Sequence, residues 1–96
     1  MLGFKIIRVV GVSMTPTYSE GDYIVVAKWP FMKTLKGDAV VVNHPSYGVI
    51  VKRVREIIKP QSLLLQGDNP QSVSSEQMGL VDKHALIGKV IAVFKK

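Results

Sequence analysis

The chain has 96 residues, 47% of them hydrophobic and 21% charged, with a net charge of +6 and no cysteine. That length sustains one hydrophobic core, so residues 1–96 are expected to form a single domain. The absence of thiols excludes a disulfide framework, a thiolate nucleophile and a cysteine zinc site. His44 and His84 have no second imidazole or carboxylate at a metal-ligand spacing, so no metal and no cofactor is expected.

The thirteen Lys and Arg side chains are spread along the chain without a block of like charge or an aromatic platform. This points to a solvated basic surface, with a basic β-barrel that binds nucleic acid as the alternative. Lys5 and Arg8 interrupt the apolar stretch 2–12, which removes a secretory signal, and no run reaches the roughly 18 apolar residues of a membrane span. A soluble, cytoplasmic protein is expected. Peripheral membrane attachment, or a soluble piece of an anchored enzyme, are the alternatives; Met1 at the start favours a natural beginning. The oligomeric state is left open.

In chain order, short runs rich in Val and Ile and bounded by Gly, Pro, Asn or Asp predict strands at 6–10, 23–28, 39–43, 49–57, 62–66 and 88–94. Helical turns are expected at 74–77 and 82–86, and no long amphipathic helix. The fold class is therefore mostly β: a small antiparallel sandwich or barrel.

The first turn, Gly11-Val12-Ser13-Met14-Thr15-Pro16-Thr17, carries one serine between Gly and Pro after a strand. Such a serine is either a plain turn residue or a hydroxyl presented to a substrate, with its own N–H aimed at an oxyanion. In the run 49–54, alternation puts Ile50, Lys52 and Val54 on one face and Arg53 on the other with Arg55. Lys52 is either a lysine that snorkels to water or one dried by aliphatic neighbours. An amine at the ordinary value of about 10.4 cannot accept a proton at neutral pH, whereas a desolvated one can act as base to a serine. No serine precedes a lysine by three positions, and Ser13 does not sit in Gly-x-Ser-x-Gly, so those hydrolase classes drop out.

Four boxes then stand in order: Ser13-Met14-Thr15-Pro16-Thr17 with Gly21-Asp22; Gly37-Asp38-Ala39-Val40; Lys52-Arg53-Val54; and Gly67-Asp68-Asn69 with Ser72, Gly79 and Gly88-Lys89-Val90. Over nearly its whole length the chain resembles the signal peptidase I proteases, serine/lysine peptidases related to the LexA-type self-cleaving repressors. Among these it most resembles the short soluble peptidases that mature nickel superoxide dismutase.

The resemblance implies a LexA/signal peptidase catalytic-core fold and an endopeptidase that removes a leader or propeptide from a precursor protein after a small residue. It implies Ser13 as nucleophile, Lys52 as general base and Ser72 as the hydroxyl that orients the amine. An extended peptide is expected against a strand edge bordered by Gly11, Met14 and Ile50. Two departures stand out. Gly11 takes the place where some members carry an oxyanion-binding hydroxyl, and Ser74-Ser75-Glu76 replaces an Asp-Ser-Arg brace, so that Arg53 is expected to pair with Glu76 instead. A catalytically inactive relative and a LexA-like domain that cuts itself are the alternatives.

Overall fold

The computed structural model describes residues 3–58 and 61–96. Its strands are β1 (Gly3–Arg8), β2 (Tyr23–Lys28), β3 (Ala39–His44), β4 (Gly48–Ile58), β5 (Ser62–Gln66), β6 (Val81–Asp82) and β7 (Leu86–Phe94). The helical turn α1 (Ser75–Met78) and a 3-10 turn at Lys83–Ala85 separate the last three strands. All strand pairings are antiparallel, in one continuous sheet of order β1-β2-β7-β3-β4-β5-β6. The mostly β expectation holds, with the strands joined in one sheet rather than divided between two.

The sheet builds two apolar clusters. Val40, Val42, Val54, Leu63, Leu65, Met78, Val81 and Leu86 form the first; Val9, Met14, Tyr18, Ile24, Val26, Ala39 and Val41 form the second. β3 supplies both, because its alternating side chains point into different clusters. This is why Ala39-Val40-Val41-Val42 is apolar without a break and buried throughout. The helical turns have the capping chemistry their sequences suggest: the Ser74 side chain accepts from the Gln77 N–H, and Asp82 accepts from the His84 N–H.

His44 closes the β3–β4 hairpin. Its Nδ1 accepts from the Ser46 and Tyr47 N–H groups at 3.0 and 3.2 Å, which leaves the proton on Nε2 to be donated to the Met78 carbonyl at 3.0 Å. Nδ1 is thus spent on the hairpin's own turn and Nε2 on joining the hairpin to α1. Over β1, β2 and β7 the side chains of Phe4, Ile6, Tyr23 and Phe94 are exposed.

Candidate active site

Lys52 lies on β4 opposite Val40 of β3, on the same face as the buried Val54. It is 4% exposed. No carboxylate pairs with its ammonium among the described residues. Burial alone pushes its pKa below the usual lysine value, because the charged form loses water and gains no counter-charge.

Ser13 sits in the loop between β1 and β2. The loop is turned by the Thr15 N–H and hydroxyl, which donate to the Val12 carbonyl at 3.1 and 2.8 Å, and by the Tyr18 N–H, which donates to Met14 O at 2.9 Å. Met14 and Tyr18 are buried in the second cluster and anchor the turn, while Ser13 stays partly exposed. Met14, expected as a substrate contact, is only 1% exposed, and its side chain anchors the loop from beneath. An apolar residue beside a candidate nucleophile reads the same in sequence whether it faces in or out.

Gly67 is where the site closes. The β4–β5 pairing ends at Arg53↔Gln66, so Lys52 and Gly67 are the next residues of their segments past the last pair. A side chain on Gly67 would collide with the Ser13 carbonyl and the Ser72 hydroxyl, and would lie 2.7 Å from Ser72 Cβ. The glycine is needed for this close approach. Ser13 and Ser72 thus converge on the Gly67 backbone, one residue past the end of the β4–β5 ladder.

The residues after Gly67 lace the loop down. The Asn69 N–H donates to Ser13 O at 2.9 Å, and Asn69 Nδ2 donates to Thr15 Oγ1 at 2.6 Å. Asp68 accepts from the Thr17 hydroxyl at 2.6 Å and from Arg53 Nη2 and Nε at 2.6 and 3.2 Å. Arg53 Nη1 also donates to Gly37 O at 3.0 Å. The expected Arg53–Glu76 pair does not form: Arg53 holds Asp68, and Glu76 lies 3.7 Å from Arg55 on the exposed surface. The reason is register, since Arg53 sits opposite Gln66, two residues before Asp68. Thr17, Asp68 and Asn69 stand in separate boxes of the sequence, and nothing in their spacing signals the cross-link they form.

Arg53 lowers the Asp68 carboxyl below its ordinary value by hydrogen bonding, with help from Thr17. Asp22, bonded by the Ser19 and Lys96 N–H groups and by Lys95, is lowered to about 2. Both carboxylates bind protons less well folded than unfolded. Their stabilisation is therefore complete above the ordinary value of 3.8 and disappears as pH falls through the folded values. Urea midpoints should be flat from pH 7 to about 4.5 and then drop, and Asp68→Asn should cost about 1–3 kcal/mol at pH 7 but much less at pH 2. An unchanged midpoint for Asp68→Asn at pH 7 would remove the cross-link from the account.

An apolar cleft of about 90 Å³ runs between residues 7–10 and 49–51, with Ser13 at its edge, Ile50 in its wall and Ile24 and Val41 as its floor. β5 leaves β4 after Arg53, so that flank of β4 before Arg53 has no strand partner among the described residues. Gly11 is outside the cleft lining; its N–H donates to Glu20 Oε1 at 3.0 Å.

Residues 3–91 match the family model Peptidase S24-like, and the chain belongs to that family. It is thereby a member of the LexA/signal peptidase superfamily, with a protease-type or LexA-like function in general terms. No curated protein and no solved structure gives a significant match. Among the described residues, no helix is long and apolar enough to cross a membrane.

Proposed function

We propose that this chain is a serine endopeptidase in which Ser13 is the nucleophile, Lys52 the general base and Ser72 the hydroxyl that orients the amine. Its substrate is a precursor protein, cut after a small residue to release a leader or propeptide. The observation that carries this reading is a buried lysine, without a counter-charge among the described residues, at the end of the β4–β5 ladder where the Ser13 loop and Ser72 both crowd Gly67.

In the reaction, the neutral Lys52 amine takes the Ser13 hydroxyl proton as Oγ bonds to the carbonyl carbon. The ammonium so formed protonates the leaving amine as the C–N bond breaks. Water, deprotonated by the same amine, then splits the acyl ester and the proton returns to Oγ. The Ser13 N–H faces the developing oxyanion. The substrate strand pairs with the open flank of β4 and sets its small side chain in the apolar cleft beside Ile50.

Resemblance to the signal peptidase I branch and to the nickel superoxide dismutase maturation peptidases supports the leader-removing form of this activity. The S24-like match favours a second form, a LexA-like domain that cuts its own chain. Action in the cytoplasm is part of the first reading; the exposed Phe4, Ile6, Tyr23 and Phe94 favour peripheral attachment as its variant.

Incubation of candidate precursors with the parent, Ser13→Ala and Lys52→Ala proteins tests the reading. Cleavage by the parent alone is the expected result. Equal cleavage by all three proteins, or none by any, ends it, and intact-mass measurement of the enzyme after incubation tells self-cutting from cutting of another chain.

A further inference from the structure

The loop that presents Ser13 is held from two sides, and the sides meet at Thr17. One is the Gly67-Asp68-Asn69 segment. The other lies 78 residues away in sequence: Lys95 Nζ donates to Thr17 O at 2.6 Å and to Asp22 Oδ2 at 3.0 Å, and stands 5.8 Å over the Tyr18 ring. Asp22 also accepts from the Ser19 N–H at 2.9 Å and from the Lys96 N–H at 3.0 Å. This carboxylate is 2% exposed, and both of its oxygens are used. The Lys96 stem crosses Gly21, where an added Cβ would lie 2.7 Å from Lys96 Cδ, and the positive φ of 92° there already favours glycine. Residues 95 and 96 lie beyond the stretch 3–91 that matches the family.

We infer that Lys95, acting through Thr17 and Asp22, is a positioning residue that fixes the seat of the Ser13 loop. Thr17 alone carries a clamp on each side, its hydroxyl on Asp68 and its carbonyl on Lys95. With the second clamp gone, the loop pivots on Met14 and Asp68, and Ser13 moves with it. A displacement of a fraction of an ångström matters far more to a reacting atom than to packing. The Lys95 side chain is about half exposed, and the buried Asp22 keeps the Ser19 and Lys96 N–H bonds without it, so losing the ion pair takes little from global stability. The signature is therefore lost turnover in a protein that remains folded.

This inference rests on the serine/lysine reading, and the experiment separates the two. Parent, Lys95→Met and Lys95→Arg are assayed on an internally quenched peptide with alanine before the scissile bond, with Ser13→Ala as background. Native-state amide exchange is followed at Tyr18 and Ser19. For Lys95→Met we expect kcat to fall about tenfold with KM within about twofold, because the loss is one of alignment. Its Tm should stay within about 2 °C, because the lost ammonium is half exposed and Asp22 keeps the Ser19 and Lys96 N–H groups. Exchange at the two amides should quicken, and Lys95→Arg should restore both kcat and protection. Unchanged kcat and exchange, or a kcat loss that merely tracks a fallen Tm, overturns the inference. Should the parent show no Ser13-dependent cleavage, the serine/lysine reading fails, and exchange alone decides whether Lys95 latches the loop.

Discussion

Replacing Lys52 with Met should abolish peptide hydrolysis and at the same time make the protein more stable. Met keeps the length and most of the volume of the side chain while removing the charge. General-base catalysis of this kind is worth about 10²–10⁴-fold, and that is the loss expected in kcat. The stability gain follows from the missing counter-charge: Lys52 is buried, its ammonium has no carboxylate partner among the described residues, and burial depresses its pKa. A lysine whose folded pKa lies below its unfolded value of 10.5 penalises the folded state at neutral and acid pH, and the penalty is relieved as pH rises through the folded value toward the unfolded one. The parent should therefore gain stability from neutral pH toward pH 10 through this group, and Lys52→Met should lack that gain. Each kcal/mol recovered appears as about 4–8 °C in Tm for a chain of this size. Activity of the parent should rise with pH through the same depressed value. A Met variant less stable than the parent at pH 7 would mean that the amine is no burden to the fold, and the basis for its neutrality would be gone.

Gly67→Ala should disable the site more than the fold. No positive φ constrains Gly67, so alanine meets no backbone strain there; its methyl group instead lands on the Ser13 carbonyl and the Ser72 hydroxyl. Crowding of that kind costs about 1–3 kcal/mol, as the loop or the Ser72 segment gives way. The move pushes apart the groups that have to meet, and a misplacement of about 1 Å costs roughly 10²-fold in rate. Gly79→Ala is the control, since Gly79 has a positive φ of 74° and open space around it. It should lose about 1 kcal/mol or more through strain and keep its kcat. If Gly67→Ala turned over peptide like the parent, the convergence of Ser13 and Ser72 on that backbone would have no bearing on chemistry.

The strands were legible because burial repeats every two residues. The runs at 23–28 and 62–66 match β2 and β5 end to end, and β4 differs from 49–57 by one residue at each end. β1 begins three residues before the expected 6–10, because pairing with β2 continues to Gly3↔Lys28 where the apolar pattern is weak. β6 is two residues long and has no periodicity to read. Lys52 could be singled out as a charge among aliphatic neighbours, and its burial is what that pattern leads one to expect. The Arg53–Asp68–Thr17 cross-link could not, because it joins residues up to 51 positions apart and depends on which turn β5 makes after Gln66. The inward turn of Met14 was hidden for a related reason: loops have no period, so nothing in Ser13-Met14-Thr15 tells which side chain the core takes.

β3 is a wall shared by two compartments. The loop that carries Ser13 is rooted in one through Met14 and Tyr18, and Lys52 is flanked by Val40 and Val54 of the other. On the proposed serine/lysine reading, neither half can present both groups alone. A chain still emerging from the ribosome, or one half unravelled by heat, would then hold a hydroxyl or an amine but never the pair, and the proposed activity would arise only with the finished architecture.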